Sequence, residues 1–173
     1  METIVLACQR KETWAQKALY EAYAPQMLGV CMRYTRSRDE AQDLLHDGFI
    51  KIFESIRKLQ QPSALPSWIF KVMVRISVDY VRKNNMVVYQ EVDSDSLVGD
   101  IENQPFDTDQ FAVMDVMEAI RQLPAHSRLL FNMHEVDGLE YSEIADLLQV
   151  SETTIRSGVC RAKQQLKTFL LKN

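Results

Sequence analysis

The sequence is poor in the residues that interrupt helices and in those that build disulfides. Its 173 residues include only five glycines and five prolines, and helix formers dominate. No run of alternating apolar and polar residues flanked by turn signals is present, so an all-α fold is expected. Cys8, Cys31 and Cys160 are an odd number of cysteines without paired spacing. A disulfide framework is therefore not expected, and the thiols are predicted to be reduced.

Other absences narrow the class of protein. No apolar run of about 18 residues is present, and the N-terminus lacks the pattern of a signal peptide, so a soluble cytosolic protein without membrane insertion is expected. His46, His126 and His134 show no metal-ligand spacing with the cysteines. We therefore expect no metal and no other cofactor. A nucleophile elbow, a phosphate loop and a His/carboxylate set are also missing, which argues against a hydrolase.

Basic residues are missing from one long segment, although the net charge of the chain is only −4. Residues 86–120 carry 9 acidic and no basic side chains, whereas residues 1–85 carry 13 basic and 9 acidic ones. Seven of these carboxylates fall between 86 and 110. That segment is rich in Asp, Ser, Asn and Gln, contains Pro105 and shows no helical periodicity. This pattern predicts a helical domain over 1–85, an acidic flexible linker over 86–110, and a second helical domain over 111–173.

A helix-turn-helix is indicated between Tyr141 and Leu171. Apolar residues recur there at helical spacing on both sides of a turn at Val150, and Ser142 and Ser151 stand at expected N-cap positions. The predicted seam consists of Ile144, Ala145, Leu148, Ile155, Val159, Ala162 and Leu166.

The outward face of the second helix of this motif is polar and basic. Groups able to meet phosphates and base edges lie opposite the seam, namely Thr153, Arg156, Ser157, Cys160, Arg161, Gln164 and Lys167. Residues 152–173 carry five basic side chains and one acidic. DNA binding is the prediction, and an ordinary helical hairpin with a solvated basic face is the alternative.

A helix predicted over Asp39–Lys58 has two distinct sides. Its core side consists of Ala41, Leu45, Phe49, Ile52, Phe53 and Ile56. The opposite side carries Asp43, Asp47, Ile50 and Glu54. One isoleucine among carboxylates suits a docking surface for a basic protein partner. The alternative is a solvated acidic face with a single exposed isoleucine.

The next predicted helix, Ser67–Lys83, follows a loop over Gln60–Pro66. Lys71, Arg75 and Arg82 form a basic stripe along it, with Trp68 near its start. Cations can follow a nucleic-acid backbone while an aromatic ring stacks on an unpaired base, so this helix suits single-stranded or opened nucleic acid. The alternative for Trp68 is a core anchor.

Three blocks of this sequence resemble blocks of bacterial RNA polymerase sigma factors of the extracytoplasmic-function (ECF) type, in the sigma-70 family. They follow one another in the same order as in that family. They are AQDLLHDGFIKIF, SWIFKVMVRISVDYVRK and LPAHSRLLFNMHEVDGLEYSEIADLLQVSETTIRSGVCRAKQQL. The resemblance implies a promoter-specificity subunit that binds core RNA polymerase and both double-stranded and opened promoter DNA, with no catalytic residue of its own. It also implies region 2-like and region 4-like domains at the two ends of the chain, and an anti-sigma factor as a further partner.

The resemblance also implies roles for individual residues. The polymerase-binding block contains Asp43, Asp47, Phe49, Ile50 and Glu54. The Gln60–Pro66 loop matches one that receives a base flipped out of the minus-ten element, and the minus-ten set comprises Gln60, Gln61, Ser63, Trp68, Lys71, Arg75, Asp79, Arg82 and Lys83. The minus-thirty-five set comprises His134, Thr153, Arg156, Ser157, Cys160, Arg161 and Gln164.

Three residues depart from the family pattern. Arg75 replaces the usual Asn, His134 stands where Arg is frequent, and Gly158 replaces a longer side chain in the recognition helix. A glycine near the seam predicts close backbone approach. The competing function is a stand-alone helix-turn-helix regulator that binds DNA as a dimer, but that function leaves the acidic face and the second basic helix unexplained.

Overall fold

The computed structural model describes residues 2–84 and 113–171, and the chain divides into two compact units, Met1–Asn84 and Asn85–Asn173. Every regular element in the described ranges is helical, so the expected all-α fold is confirmed. The predicted acidic linker, 86–110, lies outside the described residues. None of the helices in 2–84 and 113–171 is long and apolar enough to cross a membrane.

The first unit contains four α-helices and two short 3-10 turns. The helices are α1 (Glu2–Gln9), α2 (Thr13–Tyr34), α3 (Arg38–Ser55) and α4 (Leu65–Lys83), and the turns Ile56–Lys58 and Pro62–Ala64 lie between α3 and α4. Helices α2, α3 and α4 pack on one another, and α1 packs on α2 and on both turns. Fully buried side chains from all three long helices, including Leu19, Ile52 and Met73, form the core.

The two sides predicted for α3 are confirmed. Ala41, Leu45, Phe49, Ile52 and Ile56 of the predicted core side are buried, whereas the carboxylate positions and Ile50 are exposed. Phe53, also predicted for the core side, is only half-buried. The helix begins one residue earlier than predicted, because the Ser37 hydroxyl accepts a hydrogen bond from the Glu40 backbone N–H at 3.1 Å and caps the first turn. Its α-helical part ends at Ser55, and the predicted last residues form the 3-10 turn.

Gly48 lies where α3 crosses α4. A Cβ at this position would lie 2.5 Å from Met73 Sδ and 2.6 Å from Met73 Cε. Glycine therefore allows the buried sides of α3 and α4 to approach closely.

Helix α4 begins at Leu65, two residues before the predicted start. Pro66 belongs to its first turn, where a backbone N–H has no intrahelical partner and its loss costs nothing. The predicted loop is therefore shorter than Gln60–Pro66. It consists of Gln60–Ala64, and the turn Pro62–Ala64 occupies most of it.

The second unit contains α5 (Val113–Gln122), α6 (Ala125–Phe131), a π-helical turn (Asn132–Val136), α7 (Tyr141–Leu148) and α8 (Glu152–Leu170). Helix α8 packs on α5, α6 and α7. The predicted helix-turn-helix seam is confirmed, since Ile144, Ala145, Leu148, Ile155, Val159, Ala162 and Leu166 are all buried. A second cluster joins Ala119 of α5, and Leu123 directly after it, to the C-terminal half of α8.

One of the two predicted N-caps in the helix-turn-helix is wrong. Ser151 caps α8, where its hydroxyl accepts a hydrogen bond from the Thr154 backbone N–H at 3.1 Å. Ser142, by contrast, lies inside α7. The cap of α7 is Glu140, which forms a reciprocal capping box with Glu143. The Glu140 side chain accepts from the Glu143 backbone N–H, and the Glu143 side chain accepts from the Glu140 backbone N–H. Between the helices, Gln149 adopts the left-handed conformation with φ 57° that ends α7.

The three cysteines are free thiols, as predicted. Cys8 and Cys31 are buried, and Cys160 is half-buried on α8. Burial raises the pKa of the Cys31 thiol to about 11. Burial, with a smaller effect of the Glu12 carboxylate, also raises the pKa of Cys8. Both buried thiols are therefore protonated at neutral pH and pack as small apolar groups.

Gly158 in α8 provides a packing test. A Cβ at this position would collide with Cδ1 of the fully buried Leu130 in α6, in agreement with the predicted close approach. Gly158→Leu should therefore lower the free energy of unfolding of the second unit by about 1–3 kcal/mol. The matched control is Gly29→Leu in α2, where nothing lies within 4 Å of the position that a Cβ would occupy. Denaturant unfolding should show no loss for the control, and equal losses in both variants would contradict the packing argument.

Candidate polymerase and promoter DNA interfaces

The acidic face of α3 consists of Asp43, Asp47, Ile50 and Glu54, all exposed along one side of the helix. Ile50 is 54% exposed, which makes it one of the large apolar side chains that unit 1 presents to solvent. The Lys51 ammonium forms an ion pair with the Glu54 carboxylate at 3.0 Å. The face therefore combines an apolar centre with carboxylates on both sides, as a docking surface for a basic partner requires.

Phe49 does not belong to this face, although the family block includes it. Only 2% of it is exposed, and its ring packs at 4.7 Å from the Tyr20 ring and 5.9 Å from the Phe53 ring, measured between centroids. It lies behind the acidic face and supports α3 against α2. A direct contact with a partner is incompatible with this burial.

The loop between α3 and α4 exposes a short polar turn between two buried ends. Leu59 and Leu65 are 7% and 0% exposed, whereas Gln60, Gln61 and Ser63 are exposed. The Ala64 backbone N–H donates to the Gln61 carbonyl at 3.0 Å, which closes the turn. We call Gln60–Ala64 the polar loop. Its three exposed side chains offer hydrogen-bond donors and acceptors for a base.

The basic stripe of α4 is exposed as predicted. Lys71, Arg75, Arg82 and Lys83 all lie on the solvent side, while Trp68 is partly buried near the polar loop end of the helix. The Arg82 guanidinium lies 3.9 Å from the Asp79 carboxylate, so Asp79 orients a cation of the stripe. The exposed cations can follow a phosphate backbone, and the partial burial of Trp68 is compatible with both predictions made for it.

On α8, the predicted recognition face is divided between exposed and half-buried side chains. Thr153, Arg156, Arg161 and Gln164 are exposed, whereas Ser157 and Cys160 are half-buried. The Arg156 guanidinium donates to the Glu152 carboxylate at 3.1 Å and lies 4.9 Å from the centroid of the Tyr141 ring. Arg156 is thus held at the N-terminal end of α8, the end that enters a DNA groove in helix-turn-helix proteins.

Tyr141 is a residue that the sequence patterns missed. Its ring stacks on the His134 ring, with centroids 4.1 Å apart. The Arg156 guanidinium also lies over the Tyr141 ring in a cation–π contact. His134 Nδ1 donates to the Leu139 carbonyl at 2.8 Å. The partly buried His134 is therefore a support for this stack as well as a predicted DNA contact. The available signal was an aromatic residue in the first turn of α7, but a single uncharged ring does not by itself indicate a DNA contact.

A further ion pair lies beside this stack. The Lys163 ammonium contacts the Glu135 carboxylate at 2.7 Å, and His134 Nε2 lies 3.6 Å from the same carboxylate oxygen. Helix α8 is thus tied to the π-helical turn through one carboxylate. Among the described residues of the chain, no group of three or more His, Cys, Asp and Glu side chains is placed to hold a metal ion.

Comparison with known proteins identifies the family. The sigma-70 region 2 family model matches residues 19–86, and the sigma-70 region 4 family model matches residues 114–166, together well over half of the chain. The chain therefore belongs to the sigma-70 family. It is an ECF-type sigma factor, a promoter-specificity subunit of RNA polymerase and not an enzyme.

Relatives cover nearly the whole chain. The chain is 26% identical to the RNA polymerase sigma-H factor of Pseudomonas aeruginosa over 98% of this chain and 93% of that protein. It is 24% identical to the ECF RNA polymerase sigma-E factor of Haemophilus influenzae over 96% of this chain and 93% of that protein.

Solved structures of low identity share the fold. CnrH, solved with the cytosolic domain of CnrY, matches with a TM-score of 0.54 and 13% identity over 99% of this chain and 97% of that chain. The sigma factor RpoE of Bartonella quintana, solved with the anti-sigma factor NepR, matches with a TM-score of 0.52 and 20% identity over 89% of this chain and 95% of that chain.

His126 makes the stability of the second unit sensitive to acid. Burial in α6, and to a smaller extent the positive charge of Arg161, lowers the pKa of His126 below its ordinary value of 6.5. The unfolded chain therefore binds this proton more tightly than the folded unit. Stability present above about pH 6.5 is lost as the pH falls through the folded pKa. Unfolding measured between pH 7.5 and pH 5 should show this loss, and His126→Gln should reduce it. An unchanged pH slope in His126→Gln would assign the loss to other groups.

Proposed function

We propose that the three exposed surfaces divide the work of a sigma subunit. The acidic face of α3 binds core RNA polymerase, the polar loop and α4 bind the minus-ten element as it opens, and α8 binds the minus-thirty-five element. The observation that carries this proposal is the exposure of each predicted surface on a helix whose opposite side is buried. We also propose the division into a region 2-like domain over 1–85, a linker over 86–110 and a region 4-like domain over 111–173.

Polymerase binding is assigned to α3 because its face is both acidic and centred on an exposed isoleucine. Carboxylates at Asp43 and Asp47 attract a basic surface and fix its register, while burial of Ile50 contributes apolar contact area. Glu54 extends the same side of the helix, although its ion pair with Lys51 must rearrange to engage a partner.

The minus-ten role requires a place for an unpaired base. Extruding a base costs a few kcal/mol, and hydrogen bonds to its edge offset part of that cost. The exposed Gln60, Gln61 and Ser63 supply such bonds. The cations of α4 then hold the backbone of the opened strand. Opening by this route depends on binding energy and needs no catalytic group.

The minus-thirty-five role is assigned to α8. Arg156 is the strongest candidate for a base contact, because a guanidinium bonds two acceptors of guanine in the major groove. Its contacts with Glu152 and Tyr141 hold it in one region of space before DNA arrives. Arg161 is suited to phosphate, while Thr153, Ser157 and Gln164 supply neutral hydrogen-bonding groups.

The proposal extends to regulation and location. The RpoE structure with a similar fold was solved with an anti-sigma factor. We propose that an anti-sigma factor likewise binds this chain and covers its polymerase and DNA surfaces. We also propose that the chain acts in the cytoplasm, because its proposed partners, core RNA polymerase and promoter DNA, are found there.

Transcription in vitro tests the function and identifies the promoter sequence. Core RNA polymerase without any other sigma factor is incubated with fragmented genomic DNA, with and without the chain. Discrete start sites should appear only when the chain is present. If no start site depends on the chain, although it binds core polymerase, promoter recognition fails. Promoter-dependent binding by the chain as a dimer without polymerase would instead support the stand-alone regulator.

The α4 cations should matter for opening more than for assembly. Lys71→Ala/Arg75→Ala should reduce transcription from a duplex promoter, because the opened strand loses two phosphate contacts. A template already mismatched across the minus-ten region should restore much of the loss. Run-off transcription on both templates measures this difference. The matched control, Lys17→Ala/Arg38→Ala, removes two exposed cations elsewhere in the same unit. Failure of rescue with normal holoenzyme assembly would remove these residues from strand opening.

A further inference from the structure

Helix α1 lies outside the region 2 family match, which begins at residue 19, yet it is part of the folded unit. Val5, Ala7 and Cys8 are 0% exposed. The helix packs against α2 and against both 3-10 turns that bracket Gln60 and Gln61. The N-terminal helix therefore contacts the turn that precedes the polar loop and the turn that forms its second part.

Gln9, the last residue of α1, joins that helix to the start of the polar loop. Its side-chain Nε2 donates to the Ile56 carbonyl at 3.2 Å and to the Leu59 carbonyl at 3.3 Å. In return, the Arg57 Nε donates to the backbone carbonyl of Gln9 at 3.0 Å. One residue thus makes three hydrogen bonds to the four-residue segment that leads directly into Gln60.

This contact requires a side chain that can donate two hydrogen bonds. The Ile56 carbonyl already accepts from the Leu59 backbone N–H at 3.1 Å, so the Gln9 amide adds a second donor there and also supplies one to the Leu59 carbonyl. A side-chain amide carries two N–H groups and can serve two such carbonyls together, whereas a carboxylate carries none. Because Gln9 bonds both Ile56 and Leu59, it fixes the position and direction of the chain just before the exposed residues of the loop.

We propose that Gln9 is a positioning residue for recognition of the minus-ten element. It holds the first residues of the polar loop where their side chains can meet an extruded base. The inference rests on the proposed function of that loop. Gln9 itself does not contact DNA in this arrangement. It acts by holding the residues that precede the polar loop against α1.

The positioning role is separable from the stability of α1. The apolar residues Val5, Ala7 and Cys8 are fully buried independently of the Gln9 side chain, so we expect the helix to stay docked when Gln9 is changed. Loss of the two amide bonds releases only the segment leading into Gln60. A substitution at Gln9 should therefore affect base recognition more than folding or polymerase binding.

The test compares Gln9→Met and Gln9→Glu with the parent chain in holoenzyme reconstituted with core polymerase. Methionine keeps the length of the side chain and removes both donors, while glutamate places a carboxylate against two carbonyl oxygens. Gln26→Ala, an exposed glutamine of α2, is the control. Opening is followed by 2-aminopurine fluorescence on a promoter and on single-base variants across the minus-ten element.

Gln9→Met should reduce discrimination at one base position by between about threefold and tenfold, the loss associated with one neutral hydrogen bond. Discrimination at the other positions, and affinity for core polymerase, should remain at the control level. Gln9→Glu should show a larger loss at the same position. If the Glu variant fails to fold, Gln9→Met alone carries the test.

Two outcomes would overturn the inference. One is unchanged discrimination in Gln9→Met, and the other is an equal loss on every template together with weaker core binding, as a general folding defect would cause. Gln60→Ala, Gln61→Ala and Ser63→Ala are measured in parallel. If none of these changes discrimination at any base, the proposed role of the loop itself fails. If they change it and Gln9→Met does not, only the positioning role fails.

Discussion

Asp47→Arg is expected to weaken binding of the chain to core RNA polymerase by about thirtyfold or more, because reversing a charge at a complementary interface costs at least about 2 kcal/mol. Asp47 lies on α3 one turn from Asp43 and next to the exposed Ile50, in the middle of the acidic face. Reversal replaces an attraction for a basic partner with repulsion at the centre of the contact. The side chain is exposed, so the helical fold should be unaffected.

Competition measures this effect. Unlabelled variant is titrated against labelled parent chain for a limiting amount of core polymerase, and thermal unfolding verifies the fold of the variant. Glu21→Arg is the matched control, since it makes the same change in net charge at an exposed site of α2 that pairs with Lys17 at 3.8 Å. Competition by folded Asp47→Arg at the parent level would exclude the α3 face as the polymerase contact.

Arg156→Ala is expected to weaken recognition of the minus-thirty-five element by about 1–3 kcal/mol, the range for loss of a bidentate contact to a base. The loss should concentrate at one base pair, so that specificity relaxes there while other positions keep theirs. Arg156 is exposed and contacts only Glu152 and the Tyr141 ring in the interactions described above, so its removal should leave the unit folded.

Holoenzyme binding to promoters altered one base pair at a time in the upstream element, at several salt concentrations, checks the prediction. Arg121→Ala removes the same charge from an exposed site of α5 that pairs with Glu118 at 3.5 Å, and it should change neither affinity nor specificity. A uniform loss of affinity across all promoter variants would assign Arg156 to a phosphate, with a shallower salt dependence as its signature.

Periodic burial is the part of this protein that the sequence determined without any structure. In α3 and α8, apolar residues at helical spacing decide which side packs and therefore which side remains exposed. This local rule correctly separated Ile52 from Asp47, and Val159 from Arg156. The same rule placed Phe49 in the core, and its burial outweighs the inclusion of Phe49 in the polymerase-binding block.

Only the tertiary structure decided which residues outside those patterns act together. Gln9 bonds Ile56 and Leu59 across 47 and 50 positions of the chain, and Tyr141 joins His134 to Arg156. The cap of α7 falls at Glu140 rather than at Ser142, and Glu140 forms a reciprocal capping box with Glu143. Sequence periodicity fixes the sides of each helix because it depends on neighbours three or four residues apart. Contacts between helices depend on how separate segments approach, which no local spacing encodes.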